Sequence, residues 1–197
     1  MPSLVVPFRG AEGKSRLELP TTAARAALVR AMLADVVAAC VAVGPTFVVT
    51  PDESSVEGAT LVPDPRRGQG DAVRAGLDAA FAAGGPEPVL VVNADLPCVT
   101  ARDLFALAGA VPDGGLALAP AADGTTNALA LASIDVFVPV YGPGSAARFA
   151  ALAPSRVVDS PNLLDDVDTV ADLERLLGRL GAHTRSVLAA LRAEAAA

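Results

Sequence analysis

Three aspartates carry the clearest chemical signal in the sequence. Asp95 closes the apolar run of "VLVVNADLPCVT", and Asp166 and Asp168 stand two apart in "LLDDVDTVADL". A carboxylate at the carboxyl end of a strand is well placed for a ligand, because open α/β sheets bind their ligands there. If 164–168 is extended, Asp166 and Asp168 share one face and Asp165 takes the other. Two carboxylates on one face repel each other unless a cation sits between them. The plainer roles are Asp95 as a turn-former before Pro97, with Thr100 as the next helix cap, and Thr169 or Asp168 as the cap of the helix that follows the pair. The chain has a single histidine, His183, at the start of a helical stretch, where solvation fits better than catalysis. Histidine-rich zinc sites therefore lack ligands, and a serine or cysteine nucleophile lacks its usual base. A metal held by oxygen alone is magnesium or manganese rather than zinc.

A cationic counterpart lies near the amino terminus, in "LVVPFRGAEGKSRLELP". The GxxxxGK[ST] pattern of an ATPase phosphate loop needs a glycine where this chain has Phe8. Pro20 also opposes a helix beginning at Lys14, and "PTT" is the better helix start. The stretch is therefore not an ATPase loop. It is a long loop leaving the first strand, with Arg9, Gly10, Gly13, Lys14 and Arg16 on it. A solvated loop has the same composition, but cations converging from several directions suit a polyphosphate. Cationic loop and separated aspartates together describe a site for magnesium and a nucleoside triphosphate. In-line attack at phosphorus needs positioning and charge neutralisation more than a protein base. A phosphate-monoester acceptor, with a second pKa near ~6, is already anionic at neutral pH.

These residues need a scaffold. Strand-length apolar runs occur at 3–8, 46–50, 60–64, 88–95, 115–121, 126–133 and 155–160. Helical periodicity covers 21–43, 71–84, 100–110, 143–152, 169–180 and 183–195. Their alternation predicts an α/β fold with a mostly parallel sheet covered by helices. "GLALAPAADGTTNALALAS" joins two strands without room for a helix, so at least one antiparallel strand is expected. The 197 residues fit a single domain over 1–197. A net charge of -7 and only 4% aromatic residues exclude a basic footprint for polymeric nucleic acid. No apolar run approaches membrane-span length, and "MPSLVVPF" lacks the regions of a secretory signal, so a cytoplasmic address is expected. Cys40 and Cys98, without CxxC spacing, read as buried free thiols.

The motifs "KSRL", "NADLP", "GTTNALAL", "YGPGSAARF" and "DDVDTVADL" occur here in order. In this the chain resembles, over nearly its whole length, the 2-phospho-L-lactate / phosphoenolpyruvate guanylyltransferase family of deazaflavin coenzyme F-420 biosynthesis. The resemblance implies a single-domain Rossmann-like nucleotidyltransferase fold, of the nucleotide-diphospho-sugar transferase or GT-A kind, with helices on both faces. It implies transfer of GMP from GTP to a phosphorylated three-carbon acid with release of pyrophosphate. Asp95, Asp166 and Asp168 are then the metal ligands, with Lys14, Asp95 and Asp168 at the chemistry. Thr126 or Asn127, with Gly142 and Ser145, would bind the acceptor, and Arg9, Lys14 and Arg16 would meet the triphosphate. Gly68, Gln69 and Gly70 would approach the base or ribose, with Asp71 as a helix cap. The chain departs from the family pattern at Phe8-Arg9 in place of a lysine, at Arg74 in place of an asparagine, and at Phe149 in place of a histidine. Rival readings are another nucleotidyltransferase of this fold, acting on a molybdopterin or a sugar phosphate, and a nucleotide-binding module without catalysis.

Overall fold

The structure is a computed structural model that describes residues 1–11, 14, 16–52 and 56–195. Gly13 of the cationic loop lies outside these residues. Seven strands form one sheet: β1 (Ser3–Pro7), β2 (Thr46–Thr50), β3 (Thr60–Pro63), β4 (Val89–Val92), β5 (Leu116–Pro120), β6 (Thr126–Leu131) and β7 (Ser155–Val157). Their spatial order is β3-β2-β1-β4-β6-β5-β7. Every pairing is parallel except those of β6, which runs antiparallel to both β4 and β5. The exception has the cause read from the sequence. Five residues join β5 to β6, closed by the Ala121 N–H donating to the Thr125 carbonyl, and a parallel return needs a far longer crossover.

Side chains alternate along each strand, and the two faces of the sheet are covered by different helices. Leu4, Val6, Leu90 and Val92 pack with α1 (Thr22–Val41), α3 (Ala101–Gly109), α6 (Val170–Leu176) and α7 (Ala182–Ala195). Val5, Val89 and Val91 pack with α2 (Gln69–Ala82) and α4 (Ser145–Ala150) on the other face. On β5 and β6 the alanines point to the first face and the leucines to the second. Helix α2 lies unusually close to the sheet. A Cβ on its Gly76 would stand 2.3 Å from Val5 Cγ1 and 2.8 Å from Val49 Cγ2.

Several boundaries differ from the sequence reading. β4 stops at Val92, so Asp95 lies three residues beyond the strand in the following loop. A short helix, α5 (Pro161–Leu164), precedes the aspartate pair, and extended backbone begins at Asp165 rather than at residue 164. Helix α2 starts at Gln69 with Gly68 as its N-cap, so Asp71 is not the cap. The reason is local. Gly68 sits at φ +110, where a side chain is strained, and the backbone turns into the helix there. Asp71, in the first turn, instead pairs at 3.2 Å with Arg67, which precedes the helix. The expected caps Thr21, Thr100 and Thr169 all hold, each accepting a bond from a backbone N–H three residues on.

Candidate active site

Two loops, one after β4 and one after α5, are spliced by a backbone hydrogen bond: the Val167 N–H donates to the Asp95 carbonyl at 3.0 Å. Val167 is fully buried in the core, so its neighbours Asp166 and Asp168 turn away from that core together. Asp165 points elsewhere and pairs with Arg175 at 2.7 Å and with Arg179. The loop is anchored at both ends. Asn127 Nδ2 donates to the carbonyls of Leu163 and Leu164, each at 3.1 Å, and Thr169 caps α6 in a reciprocal box with Asp172.

As a result Asp95, Asp166 and Asp168, all half-buried, each offer an oxygen within 4.8 Å of the others. Lys14 Nζ lies 2.6 Å from Asp95 Oδ2 and also bonds Asp168 Oδ1, while Arg16 reaches Asp168 Oδ2 at 3.4 Å. Burial alone would lower the Lys14 ammonium; the Asp95 charge and its bonds to Asp168 and Asp95 outweigh it and hold Lys14 above its ordinary value. The opposite holds at Asp166. Burial, reinforced by the charge of Asp95, raises its carboxyl above the usual range.

The residues present fit a hard divalent cation. Among the described residues, three carboxylates face one close ammonium, the donors are all oxygen, and Asp95 Oδ1 is buried without a hydrogen-bond partner. Beside the cluster opens a cavity of about 1010 Å³, which Arg9, Lys14, Arg16, Gly68, Gln69 and Asp95 help to line. A smaller chamber of about 430 Å³ adjoins it and shares Arg9 and Gln69, with Gly70, Tyr141 and Gly142 on its walls. Nucleotide-sized ligands need volumes of this order.

The residues expected to take the acceptor are placed differently. Gly142 lines the small chamber, but Thr126, Asn127 and Ser145 are buried and line neither cavity. Thr126 Oγ1 and Ser145 Oγ bond each other at 3.0 Å. The backbone N–H groups of Ser145 and Ala146, at the start of α4, donate to the carbonyls of Gly142 and Gly124. Of the departures from the family pattern, Phe149 is fully buried edge-on to Tyr141, with ring centroids 5.0 Å apart. Arg74 donates to the Phe137 carbonyl at 2.7 Å and lies over that ring. Phe8 is buried, and Arg9 takes the cavity wall.

Sequence reasoning passed over Asn93, Asp52, Asp64 and Arg66, which also line the large cavity. Arg66 holds φ +58, a conformation that no arginine signals in a sequence, although its N–H bond to Asp64 Oδ1 makes the turn that "PDPRR" encodes. Arg148 was also passed over. Its guanidinium donates to the carbonyls of Val140, Tyr141 and Pro143 and sets the shape of the loop that carries Gly142.

The family described as "Guanylyl transferase CofC like" matches residues 3–196. A phosphoenolpyruvate guanylyltransferase of Sphaerobacter thermophilus is 40% identical over 67% of this chain and 69% of its own length. A 2-phospho-L-lactate guanylyltransferase of Halorubrum lacusprofundi is 36% identical over 88% of this chain and 83% of its own. A 3-phospho-D-glycerate guanylyltransferase of Phenylobacterium zucineum is 34% identical over 98% and 97%. Among solved structures, a Desulfovibrio desulfuricans protein described as a nucleotide-diphospho-sugar transferase shares the fold at TM-score 0.73 and 19% identity, covering 98% of this chain and 96% of its own. A Mycobacterium tuberculosis protein solved in complex with manganese shares it at TM-score 0.54 and 21% identity, covering 90% and 98%. On the match across residues 3–196 and on identities of 34–40% with these three guanylyltransferases, the chain belongs to the CofC-like guanylyl transferase family.

Proposed function

We propose that the protein is a magnesium-dependent, cytoplasmic guanylyltransferase that transfers GMP from GTP to phosphoenolpyruvate or 2-phospho-L-lactate in coenzyme F-420 biosynthesis. An oxygen of the acceptor's phosphate attacks the α-phosphorus of GTP. The bond from that phosphorus to the oxygen bridging to the β-phosphate breaks, and pyrophosphate leaves with the electron pair. Asp95, Asp166 and Asp168 would hold the ion, which supplies charge neutralisation to the triphosphate and to the attacking and leaving oxygens. Lys14 and Arg16, already at the carboxylates, meet the phosphates, and Arg9 adds charge from the wall shared by both cavities. Gly68, Gln69 and Gly70 take the base or ribose. The acceptor lies toward Gly142, with Thr126 and Ser145 supporting that side and Asn127 holding the loop that carries Asp166 and Asp168. No protein base is required, because the acceptor phosphate is anionic.

The observation that carries this reading is the meeting of Asp95 with Asp166 and Asp168 beside Lys14, at the mouth of a cation-lined cavity. The test is pyrophosphate release by the purified protein with GTP, magnesium and phosphoenolpyruvate, repeated with 2-phospho-L-lactate, 3-phospho-D-glycerate and each of the four nucleotides. Release with GTP and phosphoenolpyruvate or 2-phospho-L-lactate supports the reading, and release with 3-phospho-D-glycerate alone corrects the acceptor. Turnover without a phosphorylated acid, or only with CTP and a pterin, overturns it.

A further inference from the structure

Gln69 stands on the wall that the two cavities share, at the first position of α2. Its Nε2 donates to Asn93 Oδ1 at 3.0 Å. Asn93 in turn donates from Nδ2 to the Thr126 carbonyl at 3.1 Å, and its own backbone N–H donates to the Asn127 carbonyl at 3.0 Å. This chain of bonds has only one sense. A backbone carbonyl has no proton to give, so the atom of Asn93 that faces Thr126 is the amino group. The oxygen of Asn93 therefore faces Gln69, which must answer with its own amino group, leaving Gln69 Oε1 at the other end of the amide. Among the described residues Oε1 accepts no hydrogen bond, although the Arg9 and Arg67 guanidiniums line the same small chamber.

We infer that Asn93 is a positioning residue that fixes the Gln69 amide with Oε1 toward the ligand, where it accepts a hydrogen bond from GTP. The inference rests on the guanylyltransferase reading. The phosphorylated acid cannot supply the proton, since at neutral pH its carboxylate and phosphate are mainly acceptors and would be repelled by Oε1. The nucleotide has two kinds of donor, the ribose hydroxyls and the guanine N–H groups. Asn93 thus reads nothing itself. It sets the polarity of the group that does, and it ties that group to β6.

The test compares kcat/KM for GTP, 2′-deoxyGTP, 3′-deoxyGTP and purine riboside triphosphate, the last lacking both the N1–H and the amino group of guanine, in wild type, Gln69→Met and Asn93→Ala. In wild type at least one analogue should fall about tenfold below GTP, as expected for one lost hydrogen bond. The analogue that falls tells ribose from base. In Gln69→Met, which keeps the side-chain length without the oxygen, the ratio of GTP to that analogue should move toward one, and Asn93→Ala should move it the same way. If Asn93 only stabilises the fold, Asn93→Ala lowers turnover of all four nucleotides equally and leaves the ratio intact, which overturns the inference. Equal use of all four by wild type overturns it as well. Wild type that turns over no GTP removes the guanylyltransferase reading itself, an outcome distinct from either of these.

Discussion

Lys14 Nζ stands 2.6 Å from Asp95 Oδ2 and bonds Asp168 at the same time, so one ammonium bridges carboxylates that come from loops far apart in the chain. Among the described residues nothing else so close balances the cluster, because Arg16 reaches Asp168 alone, and at 3.4 Å. On the proposed function, the side chain that bridges the carboxylates is also the one that would meet an incoming triphosphate.

Replacing Lys14 by methionine separates these two duties. Pyrophosphate release should fall on the order of a hundredfold or more, the cost of removing a charged group that stabilises the transition state. Binding of Mn²⁺ without nucleotide should tighten, because the ammonium no longer competes for Asp95 and Asp168. Turnover and the free Mn²⁺ signal in electron paramagnetic resonance check the two effects separately.

Asp168→Asn and Asp95→Asn should each abolish measurable turnover and weaken Mn²⁺ binding. The fold should survive both, since each change removes like-charge repulsion from a half-buried cluster. Circular dichroism and thermal unfolding check the fold, and the pyrophosphate assay checks the loss. Unchanged turnover in both variants would discard the metal site.

Asp103 supplies a pH-dependent prediction. It closes the cap of α3 with Thr100 and accepts from Ser160 at 2.7 Å and Asn162 at 3.0 Å, tying α3 to the start of α5. Burial would raise its carboxyl, but the bonds from Thr100, Asn162 and Ser160 outweigh this and hold it below its ordinary 3.8. A lowered value in the folded protein gives stability that is present above 3.8 and lost as pH falls through the lower folded value. Asp103→Ala should cost about 1–2 kcal/mol near neutral pH. Denaturant titrations should show this difference shrinking as the pH drops below 3.8.

Gly76→Ala sets two effects against each other. Alanine is favoured over glycine within a helix by about 1 kcal/mol. Here the new Cβ would meet Val5 at 2.3 Å and Val49 at 2.8 Å, both buried β-branched side chains on a rigid sheet. Overpacking of this kind costs about 1–3 kcal/mol, so the variant should be less stable, with a lower midpoint in urea. Equal or higher stability would mean that Val5 and Val49 give way to the added methyl without loss of packing.

The elements were largely legible before folding was considered, because each was marked locally. Periods of two and of three to four residues, with Thr21, Thr100 and Thr169 at helix starts, placed the strands and most helices to within a few residues. The errors fell where local signals compete. Residue 164, read as the start of an extended stretch, instead ends a single turn of helix over "PNLL", and Asp71 looked like a cap until Gly68 took that place. The alternation at Asp166 and Asp168 was readable because it depends only on neighbouring residues.

What the sequence alone determined, then, was the set of elements and the types of side chain available to a site. Where those side chains meet was decided by long-range contacts, which leave no periodic trace. The Val167 to Asp95 backbone bond brings the aspartates together, and Lys14 completes them from a third part of the chain. The same holds for Asn93, whose meaning depends on the carbonyl of Thr126 on the adjacent strand. Strand pairing and core packing fix such meetings through the whole fold, so only the tertiary structure could turn a list of candidate residues into a geometry.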